Sequence, residues 1–327
     1  MQDGSQEPQR GAIVPGGPAM RTVRPQASHG ALMLVLGCVV ALFLPYAGVL
    51  LSAYGMRELA EANGVRGMVI ALALSAALLA VGSFVDASLV VFMGPALVCS
   101  LAVVGCMWRG ATVTNVSAAV VLGAAAALGL DAAIAAFAGI SVRDTIVSSL
   151  MAGVQSSVGT GVEADLLVRQ VEPLVVAVWP FTYVTGSAVN ALVAGVGSHL
   201  MAVRSKGAHR PGSISRFDAP MWSIAVLAIS TVCLGASFTG FPEAEALRTI
   251  SVTALLSVRI IFACQGFGVA SALMSSAHMG CLTRTICTFF LFWIEMVFFI
   301  VSIVGLVDVW ANFRRLARSG PDAQEQH

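Results

Sequence analysis

The chain has 327 residues, 57% of them hydrophobic and only 11% charged, with a net charge of +1 and a mean hydropathy of +0.88. A soluble domain carries about 25% charged residues, so this balance excludes an ordinary soluble globule, and the near-zero charge excludes a basic nucleic-acid surface. It is the composition of an all-α protein, a polytopic transmembrane helical bundle held in the cell membrane by the lipid bilayer, rich in the small residues that let membrane helices approach closely.

Residues 1–29 are rich in Pro, Gly, Gln and Arg. They cannot bury a core and read as a disordered tail. Arg10, Arg21 and Arg24 precede the first apolar run, which predicts a cytoplasmic N-terminus. The bundle is expected over 30–316, with a second disordered tail at 317–327. Apolar runs of about 20 residues span the ~30 Å hydrocarbon core. On that basis about eight spans are predicted, near 30–56, 67–84, 87–107, 114–138, 174–203, 220–238, 248–274 and 285–310. Pro45, Pro95 and Pro180 fall inside these runs and should kink or break them.

Residues 140–173 alternate polar and apolar groups and read as amphipathic interfacial helices joined by the Gly159/Gly161 turn. Residues 204–217 form a basic loop. Eight spans with both termini inside place Arg204, Lys206, Arg210 and Arg216 outside, yet Arg314, Arg315 and Arg318 inside, so the positive-inside signals conflict. The first half is rich in Ala, Gly and Val and the last in Phe and Ile, a contrast that suggests a front and a back bundle.

Two opposite charges stand near the middle of neighbouring spans: Arg259 in the seventh and Glu295 in the eighth. Charge at that depth is costly and normally faces a partner, the bundle interior or a water-filled cavity. Val252, Arg259 and Gly266 share one face at seven-residue spacing, and so do Thr288, Glu295 and Ser302, which are all polar. A short connection near 275–284 makes the two spans antiparallel neighbours. The pair is then either an internal clamp or part of a charged ligand site.

Asp131, toward the end of the fourth span, is a second candidate and an alternative partner for Arg259. Asn190, with Thr182, Tyr183 and Thr185 nearby, and Gln265 in the seventh span complete the candidate ligand-binding set. Such groups bond across helices or orient a small polar ligand in an apolar pocket. Ala119, Gly123 and Ala127 form a small-residue face for helix packing or a partner.

Seven scattered cysteines form no CxxC or Cys/His cluster, so no metal and no cofactor is expected. Walker A, HExxH, GxSxG and DxDxDG patterns are absent, and the chain is not expected to be an enzyme.

Phe217, Pro220 and Trp222 before the sixth span, the Gln265-Gly266 step, and the closing run from Gly305 through Asp308, Trp310 and Phe313 to Arg314 belong together. In order and spacing they resemble the DUF2232 or YybS-like family of bacterial membrane proteins, best over 217–316. Members often carry an Asn early in the seventh span. This chain reads Ile250, Ser251, Val252 and Thr253 there.

The family looks distantly similar to S components of energy-coupling-factor transporters. That likeness implies a small polar ligand and a transmembrane coupling partner with ATPases. Two functions follow as expectations. One is a small-molecule binding or transport subunit. The other is a non-transport scaffold or regulator of envelope processes, in which Arg259 and Glu295 serve only as a clamp.

Overall fold

The computed structural model describes residues 24–314 apart from 111, 159–161, 206–207, 210–213 and 240–242. Most of the first tail, all of the second, the Gly159/Gly161 turn, Lys206, Arg210, Arg315 and Arg318 lie outside the described residues. The described chain is helical throughout, as the composition predicts, and six of its helices are long and apolar enough to cross a membrane.

The run 30–56 is two helices rather than one span. Helix α1 (Ala27–Ala41) ends in a turn at Leu42–Leu44, and α2 (Pro45–Asn63) starts directly with Pro45. Pro45 therefore opens a helix instead of kinking one, the position where its missing N–H costs nothing. The two pack antiparallel, with Cys38 against Ser52 and His29 on Glu58. A Cβ on Gly48 would stand 2.4 Å from the Ala41 backbone, so only glycine permits this approach.

Next come α3 (Val65–Val85), α4 (Ala87–Arg109) and α5 (Val113–Ala138). Thr112 caps α5, its hydroxyl accepting from the Asn115 N–H. Pro95 sits inside α4. Helices α6 (Val142–Val158) and α7 (Val162–Val178) occupy the amphipathic region. The predicted fifth span starts later than expected, because Trp179–Pro180 breaks the run and α8 (Phe181–Arg204) begins after it. Then follow a short turn at Ile214–Arg216, α9 (Met221–Ala236) and α10 (Ala244–Ser276).

The eighth span is also two helices. Helix α11 (Cys281–Phe298) ends at Phe299, which takes a left-handed conformation at φ 59°, and α12 (Ile300–Ala311) follows. Helix α11 starts just past the end of α10 and returns to the level of Arg259, where Glu295 meets it. Helix α12 then runs parallel to α10: Ser302 lies by Arg259, Gly305 by Phe262, Asp308 by Gln265, and Arg314 by Gly268. Added Cβ atoms on Gly266 and Gly305 would come within 2.0 Å of the Val301 carbonyl oxygen and 1.9 Å of the Phe262 carbonyl oxygen. These two glycines set the α10–α12 distance.

The two hairpins resolve the topology conflict. The loop near 205–220 touches the C-terminal part of α2 through Arg57 and His209 and the residues just past α12 through Arg314, and the start of α9 that follows it touches α5 through Trp222 and Thr114. The end of α2, the start of α5, the end of α8 and the end of α12 thus share one face, the basic face, with Arg204, Arg216 and Arg314. A one-span reading of 30–56 puts the loop on the wrong side. A one-span reading of 285–310 offsets that error for the chain end. The turns after α3, α5 and α9 lie at the opposite face, where Arg143 pairs with Glu245.

Two buried cores form. The larger joins α1–α5 and α8 around Leu34, Met56, Val103 and Ala194. The smaller holds Ala219, Val258, Phe262 and Val309, from α9, α10 and α12 and the segment before α9. This matches the front and back contrast in the sequence.

Candidate functional site

The five candidate residues separate into three places. The first is an ion pair at the break between α11 and α12. Nine residues, about 13 Å of helix, separate Arg259 from Gly268 at the basic-face loop, so Arg259 lies near the middle of α10. Its Nη2 donates to Glu295 Oε1 at 2.8 Å and to the Glu295 carbonyl at 3.0 Å, and its Nε donates to Oε1 at 3.2 Å. The guanidinium also lies 3.6 Å from the Phe299 ring centroid.

The other carboxylate oxygen of Glu295 accepts from the Ser302 N–H at 3.0 Å. Carboxylates are stabilised at helix N-termini, where backbone donors lack intrahelical partners. Glu295 therefore caps α12 while it holds Arg259. The expected face of Thr288, Glu295 and Ser302 does not exist as one helix face, since Ser302 lies beyond the break. Ser302 still reaches Glu295, through the cap. Thr288 is exposed and bonds the Arg284 carbonyl. Asp131 is not the partner of Arg259.

The second place surrounds Gln265, which is fully buried. Its amide oxygen accepts from the Ala219 N–H, and its nitrogen donates to Asp308 at 3.1 Å and toward Asp218 at 3.5 Å. Arg314 pairs with Asp308 at 2.7 Å and donates to the Ser215 and Phe217 carbonyls at 2.9 and 2.6 Å. Side-chain exposure is 2% for Arg314 and 0% for Asp308. The residues that carried the family resemblance thus converge: Gln265-Gly266, Phe217, Gly305, Asp308 and Arg314 form one lock between α10, α12 and the basic-face loop. The Asp308–Arg314 pair was missed as a pair. Its signal was the acidic and basic ends of the closing motif itself.

The third place is a cavity of about 780 Å³ in the front bundle. Its walls are the α1–α2 tip with Leu42 and Phe43, α4 with Phe92, α5 with Asp131, and α8 with Tyr183 and Asn190. These residues place it in the half of the bundle nearer the opposite face. Tyr183 donates to Asp131 Oδ2 at 2.6 Å. Thr182 and Ser187 spend their protons on the Trp179 and Val120 carbonyls at 2.6 and 2.7 Å, so neither hydroxyl has a proton left to donate. The half-buried Asn190 amide bonds no described residue. A second cavity of about 260 Å³ shares Asn190, Gly186 and Phe92 with the first and extends toward Ser52. Gly123 of the small-residue face packs inside, against Ser187 and Cys99.

The described cysteines are all free, and no group of His, Cys, Asp or Glu suited to a metal ion occurs among the described residues.

A helical bundle with a hairpin at each end, charges paired inside it and several membrane-length helices is a multi-pass membrane protein. The chain belongs to the DUF2232 family of predicted membrane proteins, whose model matches residues 30–309. The match therefore takes in the front bundle as well as the last third. No curated protein and no solved structure matches it.

Proposed function

We propose that the chain is a small-molecule binding or transport subunit whose ligand occupies the cavity between α4, α5, α8 and the α1–α2 tip. The observation that carries this reading is the cavity itself. A half-buried carboxylate, Asp131, and an unpartnered amide, Asn190, face about 780 Å³ of otherwise mainly apolar space. Pockets of this size, with apolar walls and a few convergent polar groups, are the usual form of a small-molecule site.

Arg259, Glu295 and Gln265 are positioning residues in this reading. Their hydrogen bonds are met inside the protein, and they fix the back bundle. The remote likeness to S components supplies the partner: a transmembrane coupling subunit with ATPases, since this chain has no nucleotide-binding motif of its own. The second function, a scaffold or regulator, is favoured by α11. All of its residues but Glu295 lie partly or wholly exposed, including Phe289 and Trp293.

The test is mass spectrometry of small molecules released from protein purified in mild detergent. The proposal requires a molecule that co-purifies with the wild-type chain and with Arg259→Lys, and is lost from Asn190→Leu. Equal recovery from all three would remove the cavity as the site.

A further inference from the structure

We infer that the cavity selects a small organic cation, such as a protonated amine or quaternary ammonium group, entering from the face opposite the basic loop; this rests on the ligand-binding reading above. The argument begins with charge. Asp131 is the one carboxylate among the cavity-lining residues, which include no arginine, lysine or histidine. Its one donor among the described residues is the Tyr183 hydroxyl. A carboxylate in a mainly apolar cavity is stable only when paired and hydrogen-bonded. One phenol satisfies part of that demand and leaves the charge uncompensated.

The rest of the wall fits the same complement. The Thr182 and Ser187 hydroxyls donate to backbone carbonyls, so neither has a proton to offer an anion. The Asn190 carbonyl adds a further acceptor. An ammonium carries donors and no acceptor, and it would find acceptors from α5 and α8. Phe43, Phe92 and Tyr183 line the same space, and aromatic residues suit a cation. An anion would meet a like charge and few donors.

Access follows from the chain path. Tyr183 lies at the start of α8 and Leu89 near the start of α4, both next to turns at the opposite face. Ile146 of α6 borders the cavity from that face. Toward the basic face, Val103 and Val104 on α4 and Ala194 on α8 are fully buried in the front core, beyond Phe92 and Asn190 along the same helices.

The probe set is benzylamine, benzyl alcohol and benzoate, which share a ring and differ in charge. Each is added at millimolar concentration to the full-length protein in detergent, and binding is read as thermal stabilisation and by titration. Benzylamine should stabilise, benzyl alcohol less, and benzoate not at all. Asp131→Asn keeps an acceptor for Tyr183 and so keeps the fold, which size-exclusion elution would verify. It should weaken benzylamine binding by at least about tenfold.

Stabilisation by benzoate, no response to benzylamine, or a benzylamine response unchanged in Asp131→Asn overturns the assignment. The co-purification measurement separates this failure from that of the site. A neutral or anionic molecule lost from Asn190→Leu ends the cation reading and leaves the cavity as the site. Equal recovery from wild type and Asn190→Leu ends both.

Discussion

Removing either member of the Arg259–Glu295 pair should destabilise the protein, and the two removals should be unequal. Arg259→Leu leaves Glu295, whose side chain is 3% exposed, as an uncompensated buried carboxylate. Orphaning a buried charge costs about 3–5 kcal/mol. Glu295→Leu leaves Arg259, which is 23% exposed and keeps the residue-295 carbonyl and the Phe299 ring as partners. That variant should lose about 1–3 kcal/mol, including the carboxylate cap on α12.

The double change Arg259→Leu with Glu295→Leu removes both charges together and should recover a large part of the sum, a coupling of about 2 kcal/mol or more. The assay is reversible unfolding in mixed micelles, followed by the tryptophans, with each single and the double compared under one condition. A double variant that loses the full sum of the singles would refute the clamp. So would an Arg259→Leu variant as stable as wild type.

Three other outcomes follow. Gly266→Val sets a side chain where a Cβ alone would be 2.0 Å from the Val301 carbonyl, so unfolding should show a loss of several kcal/mol or failure to accumulate in the membrane. Asp308→Ala strands Arg314 at 2% side-chain exposure and should cost about 3–5 kcal/mol, with Asp308→Asn milder because Gln265 and the Phe313 N–H keep a partner. Single cysteines at Arg216, Phe313 and Asp144 in a cysteine-free background test the topology: the first two should label from one side of sealed vesicles and the third from the other. By the positive-inside rule the shared side is cytoplasmic, and labelling of Arg216→Cys and Phe313→Cys from opposite sides would restore a single eighth span.

The ionic clamp was legible because Arg259 and Glu295 stand out in apolar runs, where any charge demands a partner. The hairpins were not. Hydropathy registers length, and 30–56 is long enough for one generous span. The reversal at Leu42–Leu44 carries no polar residue and only Pro45 as punctuation. Phe299 is harder still, since an aromatic residue in a left-handed conformation announces nothing, and Gly and Asn are the usual signals for that geometry.

Asp131 and Asn190 were each visible as isolated polar groups, 59 positions apart in the numbering. Their common cavity depends on the α1–α2 tip entering between α4 and α8. No local pattern encodes that. Asp308 and Arg314 sit at a span end, where charges ordinarily serve topology, and this hid their pairing.

The break at Phe299 also bears on the order in which the protein is made. Glu295 lies 36 residues after Arg259. A growing chain therefore delivers α10 with a naked guanidinium at its centre, before any counter-charge exists. An arginine at that depth opposes insertion by about 2.5–3.5 kcal/mol, which the many apolar residues of α10 must outweigh during the interval. The α11–α12 hairpin then enters from the basic face. Only the short apolar segment of α12 has to enter beside α10. Neutralising Arg259 thus waits until α11 has been made, and a nascent chain halted before residue 295 is the form most exposed to quality control.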